Sequence, residues 1–415
     1  MGLVIGCIAD DFTGGSDAAS FLRKGGLSTL LINGDSYRDS EPGAGTQAVV
    51  IALKTRSIEP EAAVAQSAEA LEWLLKQGAE KIYFKYCSTF DSTPRGNIGP
   101  VTDRLMELMD VPYTLLCPAL PVNGRTVREG VLYVKGVPLG ESPMRCHPVN
   151  PMWESRIDRL MAPQSKYPCL VLDGGLMASG PAAVRDTLSR AAAEAGHLTA
   201  VPDYYDSRQG AELAENFGDL PLLTGGSGLL EHLARRAGLG LEKEGDAEDF
   251  PDAPGRRLIL AGSCSAMTGK QVETYLAAGG RALRMEPEKL IRGEQKQEDF
   301  LKAIRETEED LLIYSTAAPE EIYRGEGAEQ VSALLEGTMA RLAVAALDMG
   351  IKKLIVAGGE TSGAVTRRLG FSRFYIGGDA APGVPVMRPA ERPELALVLK
   401  SGNFGDESFF VDTLA

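Results

Sequence analysis

The segment LVIGCIADDFTGGSDAASFLRK, Leu3 to Lys24, decides the fold. Leu3–Ala9 is a short apolar run, Asp10 to Asp17 is a polar turn with two glycines, and Asp17–Lys24 has helical patterning. A buried strand that passes through a glycine turn into a helix is the opening step of an α/β protein. The alternation continues outward. Strands are expected at Thr29–Asn33, Ala48–Leu53, Lys81–Lys85, Tyr113–Cys117, Cys169–Leu172 and Leu222–Thr224, and helices at Pro60–Lys76, Ile98–Met109, Pro151–Met161, Ala182–Glu194 and Leu229–Ala237. The stretch TVREGVLYVKG interrupts it and reads as a hairpin bounded by Gly130 and Gly136.

The acidic, Gly- and Pro-containing stretch from Gly240 to Gly255 reads as a linker. Beyond it the alternation restarts, with strands at Leu258–Ala261, Ala282–Met285, Leu311–Tyr314, Lys353–Ala357 and Leu395–Leu399 and helices at Met267–Ala278 and Gln330–Met349. The expected class is α/β in two domains, 1–239 and 256–415, joined by a 240–255 linker. Each domain is a mostly parallel sheet flanked by helices, with a cleft between them.

The 415 residues suit two cores better than one. With 43 Lys and Arg against 57 Asp and Glu, the net charge of -14 repels phosphate backbones, so no nucleic-acid partner is expected. A small anion is not excluded, because a few cations can reverse the field locally. The six cysteines lack metal-ligand spacing and read as reduced, buried thiols; the three histidines are far apart, which argues against a His-rich metal site. The apolar start runs directly into Asp10 and Asp11 without a basic flank, and Gly6 breaks a myristoylation pattern. No apolar run reaches membrane-helix length, so a cytoplasmic chain with no membrane partner is expected.

Five constellations stand at strand ends, where ligands of open α/β sheets bind. ADDFTGGSD places Asp10, Asp11, Thr13, Ser16 and Asp17 after the first strand. A carboxylate there can accept hydroxyl hydrogen bonds, act as a base or hold a metal. Helix capping by Thr13 or Ser16 would explain one acid but not the cluster. KYCSTFDSTPRGNIGP brings Lys85, Asp91, Ser92, Thr93 and Arg95 together, with Lys54 and Arg56 after a neighbouring strand. Cations can pair with a carboxylate while Asp and Ser bind hydroxyls, as a polyhydroxy acid requires.

After the linker, LAGSCSAMTGKQV exposes Gly262, Ser263 and Ser265 at a helix start, a setting for phosphate, although the spacing is not that of a Walker A loop. IVAGGETSGAV adds Gly358, Gly359, Glu360 and Thr361, and LKSGNFGDESFF ends a further strand at Gly402. TGGSGLL lacks the third glycine of a dinucleotide fingerprint and reads as a helix start. His147, in a polar Pro-rich loop, reads as structural or solvated.

These motifs, in this order, resemble the four-carbon acid sugar kinases across nearly the whole chain. KYCSTFDST and GNIGPV look most like the 3-oxo-tetronate kinase branch, although Pro94 and Gly15 depart from the commoner family wording. The resemblance implies an N-terminal acid-sugar domain and a C-terminal nucleotide domain, using ATP with Mg2+ to phosphorylate the 4-hydroxyl of 3-oxo-tetronate. It implies substrate contacts from Asp10, Asp11, Thr13, Arg56, Lys85, Asp91, Ser92, Thr93 and Arg95, and Asp11 is the first candidate for the base, with Asp91 next. It implies ATP contacts from Ser263, Ser265, Gly358, Gly359, Glu360, Thr361 and Gly402. The partners would be the acid sugar and ATP, and a homo-oligomer is compatible with the sequence. Rival readings are a threonate or erythronate kinase of the same family, an oxidoreductase or aldolase, and a two-domain sugar-acid sensor. The last two are disfavoured by the missing fingerprint and by glycine loops at three strand ends.

Overall fold

The structure is a computed structural model and describes residues 2–146, 150–238, 253–316 and 328–414. The linker stretch 240–255, apart from its last three residues, and His147 lie outside the described residues. The chain divides into two compact units, Met1–Glu244 and Gly245–Ala415.

The strands of the first unit are β1 (Ile5–Ala9), β2 (Thr29–Asn33), β3 (Ala48–Ala52), β4 (Lys81–Lys85), β5 (Tyr113–Cys117), β6 (Arg125–Arg128), β7 (Val131–Val134), β8 (Val137–Pro138), β9 (Cys169–Leu172), β10 (Leu198–Pro202) and β11 (Leu222–Gly225). The main sheet has the order β2-β3-β1-β4-β11-β5-β10-β9 and is parallel throughout, while β6, β7 and β8 form a small antiparallel sheet. The IGCIA strand is buried along its whole length, as expected of a strand covered on both faces. Chain direction reverses at β1. The helix Phe12–Lys24 leads back toward β2, while Pro60–Lys76 and Ile98–Leu108 carry the chain the other way. Right-handed crossovers put these two sets on opposite faces of the sheet.

The second unit contains β12 (Arg257–Ala261), β13 (Arg281–Arg284), β14 (Leu311–Tyr314), β15 (Lys353–Ala357), β16 (Arg373–Ala381), β17 (Val384–Pro389) and β18 (Ala396–Lys400). Its order is β13-β14-β12-β15-β18-β17-β16. The first five are parallel and the last two run as an antiparallel hairpin against β18. Ile259, Val272, Tyr275, Ile355, Val398, Phe409 and Phe410 share one buried cluster.

Three local expectations need correction. The first helix begins at Phe12, five residues earlier than its sequence pattern suggests. Gly15 belongs to that helix because a Cβ there would lie 2.7 Å from Ala52 Cβ, so the glycine permits close helix–strand packing. The helix expected from Pro151 is confined to Ile157–Met161. Glu154 Oε1 accepts from the N–H groups of Ser155 and Arg156, and Arg156 bridges to Val131, so this backbone is spent on a turn and on β7. All six cysteines are free, but only Cys7 and Cys117 are fully buried; Cys146 and Cys264 sit in polar loops and are exposed. Among the described residues, no helix is long and apolar enough to cross a membrane.

Candidate active site

In the first unit, the turns after β1, β3 and β4 converge at the carboxyl edge of the sheet. Asp11 caps the helix Phe12–Lys24, a role assigned above to Thr13 or Ser16. Its Oδ1 accepts from Gly14 N at 2.9 Å and its Oδ2 from Thr13 Oγ1 at 2.7 Å. Arg56 organises the acids. Its Nε and Nη2 make a bidentate pair with Asp10 at 2.9 and 2.8 Å, Nη2 also donates to Asp11 at 2.7 Å, and Nη1 lies 3.6 Å from Asp91. The planar guanidinium suits this geometry in a way that a lysine ammonium would not.

The two adjacent acids differ electrostatically. Burial pushes the Asp10 carboxyl up, against the pull of Arg56. Burial also opposes the charge of Asp11, but Arg56, Lys85, the Thr13 hydroxyl and the Gly14 N–H outweigh it and hold Asp11 below the usual carboxylate range. Lys85 is itself buried, and its Nζ donates to Tyr86 O at 3.0 Å.

The loop after β4 is strained. Phe90 and Asp91 both have positive φ, 64° and 45°, a conformation that a bulky aromatic residue adopts at a cost. The buried Phe90 ring is held edge-on to Tyr86, with centroids 6.1 Å apart. Asn150 Nδ2 donates to Asp91 Oδ1 at 3.0 Å and to its carbonyl at 3.2 Å. Asn97 Nδ2 donates to Thr55 O at 2.6 Å and Ile58 O at 2.9 Å, which fixes the turn that carries Arg56. Asp10, Arg56, Asp91 and Asn97 help to line a cavity of about 10 Å³, room for a single water.

Asp10, Asp11, Thr13, Arg56, Lys85 and Asp91 therefore form one group. Ser92 lines the same small cavity, with its hydroxyl donating to Gln164 Oε1 at 3.1 Å. Thr93 Oγ1 accepts from Arg95 N at 3.3 Å, and the Arg95 side chain is exposed. Asn97 and Asn150 contribute through the fold. Asn150 comes from a segment 59 residues away in sequence, which no local pattern could connect to Asp91.

In the second unit, the residues after β12, β14 and β15 meet where the chain direction reverses, the position at which open α/β sheets bind ligands. Gly262, Ser263, Ser315 and the Gly358–Thr361 turn line an open pocket of about 230 Å³. Ser332, Leu335, Glu336 and Met339 of the helix Ala328–Asp348 form the opposite wall. The helix Gly359–Leu369 starts without a side-chain cap, so its first N–H groups are available to an anion. Gly358 has φ 125°, and a Cβ there would lie 3.1 Å from Ser263 N.

Ser265 and Gly402 stand behind this lining. Ser265 caps the helix Ala266–Ala277 by accepting from Thr268 N at 3.2 Å. A Cβ on Gly402 would fall 2.2 Å from Ser263 Oγ, and Gly402 O accepts from Thr268 Oγ1 at 2.8 Å. The buried Lys400 Nζ donates to Ser401 O and Gly402 O at 3.2 and 3.1 Å, and burial lowers its pKa to about 7.

Phosphate-directed N–H groups, small residues and an apolar wall at Leu335 and Met339 fit a nucleotide. Among the described residues, no group of three His, Cys, Asp or Glu side chains could hold a metal. A divalent ion arriving on phosphates needs only one or two protein carboxylates, and Glu360 lies at the pocket.

Residues 5–233 match the family model of the sugar-binding N-terminal domain, and residues 258–410 match that of the nucleotide-binding C-terminal domain. The class defined is thus a two-domain sugar- and nucleotide-binding protein. A 3-oxo-tetronate kinase of Pseudomonas fluorescens is 42% identical, with 99% of this chain and 96% of that one covered. A 3-oxo-tetronate kinase of Salmonella typhimurium is 44% identical, over 99% and 98%. A solved Salmonella typhimurium structure, described as a tRNA synthase, superposes with a TM-score of 0.87 at 43% identity over 98% of each chain. A Haemophilus influenzae structure gives 0.79 at 40% identity, again over 98% of each chain. The chain belongs to the four-carbon acid sugar kinase family, in its 3-oxo-tetronate kinase branch.

Proposed function

We propose that this chain transfers the γ-phosphoryl group of ATP to the 4-hydroxyl of 3-oxo-tetronate. The first unit takes the acid sugar and the second takes the nucleotide. The observation that carries this reading is the contrast between the two strand-edge sites, one of fixed charges and one of glycine, serine and open space, in a chain whose curated relatives bear that activity in their names.

Phosphoryl transfer asks a protein mainly for positioning and charge neutralisation. Arg56 holds Asp10 and Asp11 in place and faces Asp91. Asp91 takes the proton from the attacking hydroxyl, held in its strained loop by Asn150. Asp11, kept ionised and already accepting three hydrogen bonds, orients the hydroxyls and is the second candidate for the base. Thr13, Lys85, Thr93 and Arg95 surround the acid sugar, and Ser92 braces the loop through Gln164. Ser263 and the Gly358–Thr361 turn receive the phosphates, with Ser265 and Gly402 supporting them. Mg2+ would neutralise phosphate charge when bound, with Glu336 and Glu360 as the carboxylates that line the pocket.

The test is ADP release with ATP and each of 3-oxo-tetronate, D-threonate, L-threonate and D-erythronate. The highest kcat/KM is expected for the 3-oxo acid. Faster turnover of threonate or erythronate would overturn the substrate assignment. ADP release with none of them would overturn the kinase reading itself.

A further inference from the structure

Arg56 is poorly suited to hold the carboxylate of an acidic substrate. Its guanidinium is engaged by Asp10 and Asp11 and lies 3.6 Å from Asp91. Even with Lys85 acting on Asp11, the group sets three acids against two cations and repels an anion. The carboxylate needs another receptor.

One lies where the sequence suggests only a hairpin. After β5 the chain passes through a single 3-10 turn, Pro121–Asn123, and through Gly124 at φ 71°, into β6. Leu120 and Arg125 exchange backbone hydrogen bonds of 2.9 and 3.1 Å, which lock the turn. The turn is backed by the loop after β11, since a Cβ on Gly228 would lie 2.5 Å from Ala119 O. Arg125 therefore projects from a rigid base at the carboxyl edge of β5 and β11.

Its polar atoms are under-used. Nη1 donates to Asn123 O, but the buried Nε has no acceptor. Among the described residues, no carboxylate lies within ion-pair distance of Arg125. Asn123 Nδ2 is a second buried donor without a partner. Such donors cost free energy unless a ligand or water completes them, and two of them within three residues form an anion receptor. Burial pulls the Arg125 pKa below the usual arginine range, only partly offset by the Asp17 carboxylate. Asp17 already accepts from the Ser227 hydroxyl. In the sheet only β11 separates β5 from β4, and all three run parallel, so Arg125, after β5, and Asp91, after β4, stand at the same carboxyl edge.

We propose that Arg125, assisted by Asn123 Nδ2, receives the carboxylate of the acid substrate, while Asp10, Asp11 and Asp91 serve its hydroxyl end. The identity of the acid, but not the receptor itself, rests on the kinase reading above. Calorimetric titration of the full chain with 3-oxo-tetronate and with its uncharged carboxamide provides the test, alongside steady-state kinetics. Arg125→Gln should weaken the acid by about tenfold to a hundredfold, the loss of a charge-assisted hydrogen bond. The amide should change less than about twofold, and Arg125→Lys should recover part of the acid affinity. KM for the acid should rise while kcat and KM for ATP hold, the signature of lost ground-state binding.

Unchanged acid affinity in Arg125→Gln, or equal losses for acid and amide in a normally folded variant, would overturn the proposal. If Arg125→Gln does not fold, Arg125→Lys and Asn123→Ala carry the same comparison, with selective loss of acid expected and unselective loss decisive against it. Wild type that binds the acid but releases no ADP would sink the kinase reading while leaving the receptor intact. Wild type that binds no acid would overturn both.

Discussion

The two units are built on one strand order and use it for opposite chemistry. The order β2-β3-β1-β4 of the first unit recurs as β13-β14-β12-β15 in the second. In each, the functional loops follow the first, third and fourth strands in chain order. The first unit fills that position with Asp10, Asp11, Arg56 and Asp91, crossed by short ion pairs. The second fills it with Gly262, Ser263, Ser315, Gly358 and Gly359, and leaves a pocket. Topology sets where a ligand binds, and side chains set which ligand it is. A hydroxylated acid is read by fixed charges and acceptors. A polyphosphate is held by backbone N–H groups, which need glycine so that the backbone can approach.

The contrast can be broken most sharply at Gly359. A Cβ there meets nothing within 4 Å, so the fold tolerates a side chain, but the residue lines the pocket. Gly359→Val should leave the melting temperature unchanged and weaken ATP at least about a thousandfold, roughly 4 kcal/mol of binding. Acid-sugar affinity measured calorimetrically should be retained. Loss of the acid with ATP spared would reverse the assignment of the units.

The first unit is probed through its two candidate bases. Asp91→Asn should lower kcat by about a hundredfold or more, the usual scale of general base catalysis, while KM for ATP stays within about twofold. Asp11→Asn should fall less in kcat and more in acid affinity, and should keep its helix cap because Asn caps as well as Asp. A larger kcat loss in Asp11→Asn than in Asp91→Asn would exchange their roles.

The smallest expected effect concerns the two buried lysines that end strands, Lys85 and Lys400. Lys85 lies close enough to Asp11 to lower its pKa. Lys400 meets carbonyls, Thr268 Oγ1 and the rings of Phe409 and Phe410. Its folded pKa of about 7 lies below the ordinary 10.5 because of burial. Between those values the unfolded chain binds a proton that the folded chain has shed. Stability should therefore rise with pH in that window, by at most about 1.4 kcal/mol per unit, and this contribution should be flat and lowest below pH 7. Lys400→Met should abolish that part of the slope in urea melts from pH 7 to 10. A slope unchanged by the substitution would show that Lys400 remains charged in the fold.

Much of this architecture was legible locally. Strands Thr29–Asn33, Lys81–Lys85, Tyr113–Cys117, Cys169–Leu172, Leu311–Tyr314 and Lys353–Ala357 occur where apolar runs predict them, because a strand buried on both faces must be apolar along its length. The strand Leu198–Pro202 and the hairpin β16–β17 were not anticipated, nor was the helix Ser207–Phe217. Polar residues, glycine and proline interrupt their apolar runs, as at Thr199, Gly377 and Pro385. The glycine turn after β1 was misread at one point: Gly14 and Gly15 looked like loop but lie in the helix, where a Cβ would press on the Asp11 carboxylate at Gly14 and on Ala52 of β3 at Gly15.

The sequence by itself determined which chemistry stands at each strand end, because a turn between a strand and a helix keeps its residue types wherever the strand is placed. It supplied Asp10, Asp11, Arg56 and Asp91 as charges and Gly358, Gly359 and Ser263 as a cradle. Only the tertiary structure decided how they are used. Arg56 lies 46 residues from Asp10, and their bidentate contact makes it an organiser of acids and not an evident ligand for one. Asn150, Leu335, Met339 and Arg125 enter the sites through pairing and packing over long sequence separations. Such contacts follow from strand order, which is a property of the whole sheet and leaves no mark in any short stretch of residues.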